Sequence, residues 1–210
     1  RLLRELGEGG TAQVFLAVAH GPEGFEKLVV LKRLKRHLAN DPELRESFLH
    51  EAQLSARLNH PNVVQVNEVT EHEGVPVLVM EWLEGRPLSE IVLRAGGELT
   101  LPMTLRILSD ALVGLHYSHE LCDYDGTPLE VVHRDMSPHN LVVTCEGQVK
   151  VLDFGLAKIA GTADTQSGVL RGRLHYMAPD QLAEDRALDR RADVYAVGVM
   201  LWEAAAGQRL

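Results

Sequence analysis

An aspartate followed five residues later by an asparagine sits within Val132-His133-Arg134-Asp135-Met136-Ser137-Pro138-His139-Asn140, the stretch of this sequence best equipped for chemistry. One short hairpin later comes Asp153-Phe154-Gly155. Phosphoryl transfer needs a carboxylate that orients an acceptor hydroxyl and takes its proton, and oxygen ligands for a metal bridging the phosphates. Asp135 suits the first task, and Asn140 and Asp153 suit the second. Single loop aspartates are usually caps or turn residues, but a joint arrangement of these three is hard to reach by chance.

Two further features point the same way. In Val30-Leu31-Lys32-Arg33-Leu34, period-two alternation places Lys32 on the face of Val30 and Leu34. An inward ammonium needs an anionic partner or must lose its charge. Glu51 is the candidate, on the same helical side as Phe48, Ala52 and Ser55; the bland alternative is a lysine snorkelling from a half-covered sheet. Gly7-Glu8-Gly9-Gly10-Thr11-Ala12-Gln13-Val14 is a glycine-rich turn between two strands. Such a turn can bring backbone N–H groups close to phosphates, although most glycine turns between strands are plain hairpins. Its strand-to-strand placement disfavours a dinucleotide fingerprint.

The elements that must position these residues change character along the chain. Strands are predicted at Leu2–Leu6, Gln13–Val18 and Leu28–Leu34, then a helix with Asp41 as N-cap and Pro42 at its first position. That helix carries the stripe Leu44, Phe48, Ala52, Ser55, Leu58 and stops at His60-Pro61-Asn62. Strands at Val63–Val69 and Pro76–Met80 follow. Beyond Glu81-Trp82-Leu83-Glu84-Gly85 the pattern turns helical, with Ile107, Ala111 and Leu115 inward on a helix from about Pro102 to His119. Strands at Leu141–Thr144 and Gln148–Leu152 and a buried helix at Ala192–Ala206 complete the reading.

With Tyr176-Met177-Ala178-Pro179-Asp180 added, these motifs resemble the signature set of eukaryotic-like (Hanks-type) bacterial serine/threonine protein kinases. The Ser-Pro-His after Asp135-Met136 is similar to myxobacterial members. The resemblance runs from the glycine-rich loop to the chain end. It implies an α+β, two-lobed protein-kinase-like fold: a small antiparallel β lobe (1–80), a hinge (81–86) and a larger helical lobe (87–210) truncated before its last helices. It implies ATP with Mg²⁺ (or Mn²⁺), a protein substrate, and Lys32 on the α- and β-phosphates, paired with Glu51. Asp135 is then the base, and Asn140 and Asp153 hold the metal. Leu6, Gly7, Glu8, Gly9, Gly10, Thr11 and Ala12 would cover the nucleotide, and Val14, Val30 and Val142 would enclose adenine. Glu81 to Leu83 would read adenine through their backbone behind Met80. Asp193 would brace the catalytic loop.

The chain departs from that pattern in four places. Ala12 replaces a loop glycine. Asp180 replaces a glutamate whose family partner, a late arginine, lies past Leu210, so the segment alone is expected to be poorly stable. Ser137 stands where a lysine usually reaches the γ-phosphate, and Arg173 follows Gly172 where threonine is usual. Arg173 is therefore expected to supply the missing charge. Arg134 could receive a phosphate placed on Thr162, Thr165 or Ser167, and a dimer would allow that transfer in trans. The insertion Cys122-Asp123-Tyr124-Asp125-Gly126-Thr127-Pro128-Leu129-Glu130 should form a small hairpin about its Asp-Gly.

The totals limit the alternatives. A net charge of −9 over 210 residues opposes general nucleic-acid binding. Cys122 and Cys145 have no metal or redox spacing, which suits a reducing cytoplasm. No apolar stretch is long enough to span a bilayer, and the start at Arg1 reads as an excised segment whose anchoring sequences could lie elsewhere. His116 and His119 read as packing or surface residues. The rivals to an active signalling kinase are a pseudokinase or ATP-binding scaffold, and a small-molecule phosphotransferase. Lys32, Glu51, Asp135, Asn140 and Asp153 are all present, which disfavours the first; Tyr176–Asp180 disfavours the second.

Overall fold

The computed structural model describes residues 1–97, 99–154, 174–181, 188–208 and 210. It divides into two compact units. One comprises Arg1–Asn59 and Gln65–Trp82; the other comprises His60–Val64 and the described residues from Leu83 onward.

The first unit is a five-stranded antiparallel sheet with one helix. Its strands are β1 (Leu2–Glu8), β2 (Ala12–His20), β3 (Glu26–Leu34), β4 (Val66–His72) and β5 (Val75–Glu81), ordered β1-β2-β3-β5-β4. Val29 and Leu34, on opposite faces of β3, are its buried residues, and β5 is buried over most of its length because it lies inside the sheet and under the helix. Helix α1 (Pro42–Arg57) starts where local chemistry places it. Asp41 Oδ1 accepts the N–H groups of Glu43 (3.0 Å) and Leu44 (3.2 Å), and Pro42 occupies the first position. Leu44, Phe48, Glu51, Ala52 and Ser55 form its buried face. Burial of Phe48 alone contributes roughly 1.5–3 kcal/mol.

The second unit is mainly helical. It contains β6 (Gly85–Pro87), α2 (Leu88–Arg94), α3 (Leu101–His119), β7 (Leu141–Thr144), β8 (Val149–Val151) and α4 (Arg191–Ala206), with the small sheet ordered β6-β7-β8. Helix α3 packs its Ile107, Ala111 and Leu115 side against β8 and α4. The turn between β7 and β8 closes with Gly147 N–H donating to Thr144 O, Gly147 taking a left-handed φ of 81°. Residues 122–130 do form a small hairpin: Cys122 bridges Pro128, and Asp123 N–H donates to Thr127 O at 2.7 Å.

Two expectations need correction, and two elements were not expected. The strand predicted over Val63–Val69 starts at Val66 instead. Val63 pairs in parallel with Val151, and Val64 N–H donates to Val151 O at 2.9 Å. Both valines are buried and β-branched whichever strand they join, so the apolar run could not reveal the change of partner. Helix α4 is not buried all round: Ala192, Ala196, Val197 and Met200 are buried, whereas Val194 is 53% exposed and Trp202 39% among the described residues. Finally, β6 and α2 were not anticipated. A three-residue strand exists only through its pairing with β7, and the seven-residue α2 has no side-chain cap.

Gly114 shows how closely α3 approaches the His60–Val64 segment. A Cβ there would lie 2.8 Å from Asn62 O and 3.1 Å from Asn62 Cβ. Replacing a helix-interior glycine by alanine normally gains about 1 kcal/mol, but forcing backbone apart in a packed site costs about 1–3 kcal/mol. Gly114→Ala is therefore expected to destabilise by about 1 kcal/mol in urea unfolding. A gain in stability would show that the helix shifts without cost.

Candidate active site

In the first unit, the register Val14↔Lys32↔Leu78 aims the Lys32 side chain at α1. Its Nζ donates to Glu51 Oε1 at 2.9 Å, and the two side chains are only 14% and 11% exposed. Partial burial lowers the effective dielectric and strengthens such a pair, while desolvation offsets part of the gain. The result is an ordered cation rather than a large contribution to stability. The glycine-rich turn is closed by Gly9 N–H donating to Ala12 O at 2.8 Å. It is tied down by two contacts not anticipated from the sequence: Lys35 N–H donates to Thr11 O, and Lys35 Nζ pairs with Glu8 at 2.8 Å. Leu6 to Gly10 are exposed, Val14 and Val30 are half-buried, and Met80 is buried opposite Val30. Glu81 follows, with its N–H donating to Gln65 O.

In the second unit, a buried carboxylate organises the loop. Asp193, 1% exposed at the start of α4, accepts the His133 N–H and His119 Nε2–H on Oδ2 and the Arg134 N–H on Oδ1, each at 2.8 Å. Buried away from water, this side chain has its polar atoms satisfied by three donors from the protein. His133 carries the order onward. Its Nε2–H donates to Leu152 O at 2.6 Å, and its Nδ1 accepts the Asp135 N–H at 3.2 Å, so the tautomer is set by both neighbours. Its ring also lies 4.8 Å from that of Phe154, which is 2% exposed.

Asn140 closes the loop. Its Nδ2 donates to Asp135 O at 2.7 Å and to Asp135 Oδ2 at 3.2 Å, and Leu152 N–H donates to Asn140 O at 2.8 Å. These bonds bring Asp135 and Asn140 together and tie both to the residue before Asp153. Because the amide nitrogen is engaged by Asp135, Asn140 Oδ1 is the atom suited to a cation. Arg134 and Asp153 have left-handed φ values of 65° and 43°, uncommon for residues with a Cβ. At Arg134 the conformation is held by its N–H on Asp193 Oδ1 and by Gln181 Nε2 on its carbonyl.

The donor set of Asn140 and Asp153 is hard oxygen, which fits Mg²⁺ coordinated by one or two protein oxygens together with phosphates. Among the described residues no three His, Cys, Asp or Glu side chains gather to hold a metal by themselves. Ser137 is 1% exposed, with an Oγ that finds no hydrogen-bond partner among the described residues. It is turned into the protein, so it does not take over a lysine's contact with phosphate. Arg134 Nε is also buried without a hydrogen-bond partner among the described residues, and Gln181 Nε2 donates to Arg134 O at 2.8 Å. Gly155, Thr162, Thr165, Ser167, Gly172 and Arg173 lie outside the described residues.

Sequence reasoning missed His119 as a donor to Asp193, because a histidine at helical spacing carries no sign of a partner 74 residues away. It also missed a cavity of about 380 Å³ beside the catalytic loop, lined in part by Ser89, His139, Tyr176 and Glu203. Ser89 Oγ lies 3.0 Å from His139 Nδ1, and Tyr176 Oη donates to Glu203 Oε2 at 2.8 Å.

His60 stacks on Tyr117 with centroids 5.0 Å apart, and its Nδ1 accepts the Asn62 N–H at 3.1 Å. Burial, and secondarily the Lys150 charge, hold its pKa below the usual 6.5. The unfolded chain then binds the proton more readily, so stability is lost as pH falls through 6.5 towards the depressed folded value. Melting between pH 7.5 and 5.5 should fall more for the protein than for His60→Asn; equal falls would assign the loss to other groups.

No helix among the described residues is long and apolar enough to cross a membrane. The protein kinase domain family model matches residues 1–210. Tyrosine-protein kinase MasK of Myxococcus xanthus is 49% identical over 97% of this chain and 32% of its own length. Serine/threonine-protein kinase PrkC of Bacillus subtilis is 32% identical over 99% of this chain and 30% of its own, and PknB of Mycobacterium tuberculosis is 34% identical over 97% and 32%. The chain thus spans about a third of the length of these relatives. Among solved structures, the kinase domain of Mycobacterium tuberculosis PknI is similar with a TM-score of 0.71 at 28% identity, covering 99% of this chain and 72% of that one. A buried aspartate bracing a loop that carries Asp135 and Asn140, a paired Lys32 and Glu51, and a family match along the whole length agree: this chain belongs to the protein kinase domain family.

Proposed function

We propose that this chain transfers the γ-phosphoryl group of ATP to serine or threonine hydroxyls of protein substrates, as part of bacterial signalling. The observation that carries the reading is the Asp135–Asn140 contact, which holds a carboxylate and a metal-binding amide in one loop. The acceptor oxygen bonds to the γ-phosphorus as the bond to the β,γ-bridging oxygen breaks and ADP departs. Asp135 orients the acceptor and takes its proton. Lys32, held by Glu51, neutralises the α- and β-phosphates. Bound through Asn140 and Asp153, Mg²⁺ would offset the charge on the phosphate oxygens.

In this reading residues 1–80 act as the N-lobe, 81–86 as the hinge and 87–210 as the C-lobe. Leu6 to Ala12 cover the nucleotide, and Val14, Val30, Met80, Leu83 and Val142 surround its base. Arg173 supplies charge that Ser137 does not, and Arg134 receives the phosphate of a modified Thr162, Thr165 or Ser167. The buried Arg134 Nε supports the last role.

The serine/threonine reading is supported by the names of PrkC and PknB. The 49% identical MasK, named a tyrosine-protein kinase, favours tyrosine as the second reading. Incubation of the purified protein with Mg²⁺ and γ-labelled ATP, then phosphoamino-acid analysis, separates them. Labelled phosphoserine or phosphothreonine, absent with Asp135→Asn, is the expected result. Phosphotyrosine alone would replace the acceptor assignment, and no transfer at all would overturn the kinase reading.

A further inference from the structure

Besides Asn59/His60, the chain passes between its two units at Val64/Gln65 and again at Trp82/Leu83. Inside the first unit, the residues next to those crossings are tied together by a reciprocal pair. Glu81 N–H donates to Gln65 O at 2.9 Å, and Gln65 N–H donates to Glu81 Oε1 at 2.8 Å. The last registered pair of β4 and β5 at this end is Val66 with Met80, so the Glu81 carboxylate serves Gln65 where the ladder ends. Gln65 is held again by its own Nε2, which donates to Val66 O at 2.9 Å.

This arrangement bears on nucleotide recognition. With its N–H given to Gln65, the backbone group Glu81 can offer a base is its carbonyl. A carbonyl that accepts from an exocyclic amine binds best when oriented beforehand, because ordering it on binding subtracts from affinity. We propose that Glu81 is a positioning residue whose side chain, by capping the Gln65 N–H, holds its own carbonyl ready for the adenine amino group. The inference rests on reading Glu81–Leu83 as the adenine-recognising segment. It assigns selectivity for adenine over guanine, whose corresponding position carries an oxygen, to a side chain that never touches the base.

Titration of Mg²⁺ complexes of fluorescent N-methylanthraniloyl ATP and GTP tests it, alongside steady-state phosphotransfer. Glu81→Ala is expected to weaken ATP binding about tenfold, the loss of one charge-assisted bond, and GTP binding less, so that base preference shrinks. The maximal rate at saturating ATP should change far less than KM. Glu81→Gln, whose amide oxygen can still accept from Gln65, should restore most of the affinity. If the alanine variant does not fold, Glu81→Met, of similar length without the acceptor, is read in its place. Unchanged ATP affinity and base preference, or equal losses in the glutamine variant, would overturn the inference alone. A protein that binds neither nucleotide would overturn the kinase reading and this inference with it.

Discussion

Asp135→Asn is expected to lower kcat by about 10²–10⁴-fold, the range that a positioned general base contributes, with KM for ATP changed by less than about twofold. The substitution is nearly isosteric and suits the local bonding. Asn140 Nδ2 lies 3.2 Å from Asp135 Oδ2, and an amide oxygen there can still accept. The Asp135 backbone is retained by bonds that do not involve its side chain: its N–H donates to His133 Nδ1 and its carbonyl accepts from Asn140. Loss of rate should therefore come without loss of fold. Steady-state kinetics with a protein acceptor, together with a thermal melt, check both halves. Retained turnover would remove Asp135 from the mechanism, and a large fall in melting temperature would make the residue structural instead.

The second large effect falls on stability. Asp193→Ala removes the acceptor for two backbone N–H groups and one imidazole, all in a site from which water is excluded. A buried donor left unsatisfied costs about 1–3 kcal/mol, and breaking a buried charged network about 3–5 kcal/mol. We expect a loss of about 3–5 kcal/mol in urea unfolding, with activity falling as the Arg134–Asp135 backbone is released. His119→Leu removes one of the three donors and should cost about 1 kcal/mol. The ordering of the two variants carries the argument. Equal losses would mean that the His119 contact, rather than the backbone capping, holds the loop.

Local features were legible wherever the governing physics is local. The Asp41 cap, Pro42 at the first turn, the α1 stripe and the Asp125-Gly126 turn each depend on a few neighbouring residues, and each forms as its residues require. Alternation along β3 also pointed Lys32 inward, and Glu51 on the buried side of α1 meets it. The Val63–Val69 strand failed for the opposite reason. Whether Val63 and Val64 extend β4 or join β8 depends on which chain reaches them, and a buried valine suits both. Ser137 occupies the motif position where a lysine usually reaches phosphate, but the direction its side chain takes depends on the loop's packing, which buries it.

Taken alone, the sequence determined the types and order of the reactive groups: Lys32, Glu51, Asp135, Asn140 and Asp153, on elements whose periodicity set them facing in or out. It could name Asp193 only by resemblance. Tertiary structure alone decided what holds those groups still: His119 and the backbone of His133 and Arg134 on Asp193, Lys35 on Glu8, and Gln65 on Glu81. The physical reason is that side-chain spacing follows from the period of one helix or strand. A hydrogen bond across 16 or 74 residues depends instead on how separate elements pack, and no local pattern encodes that.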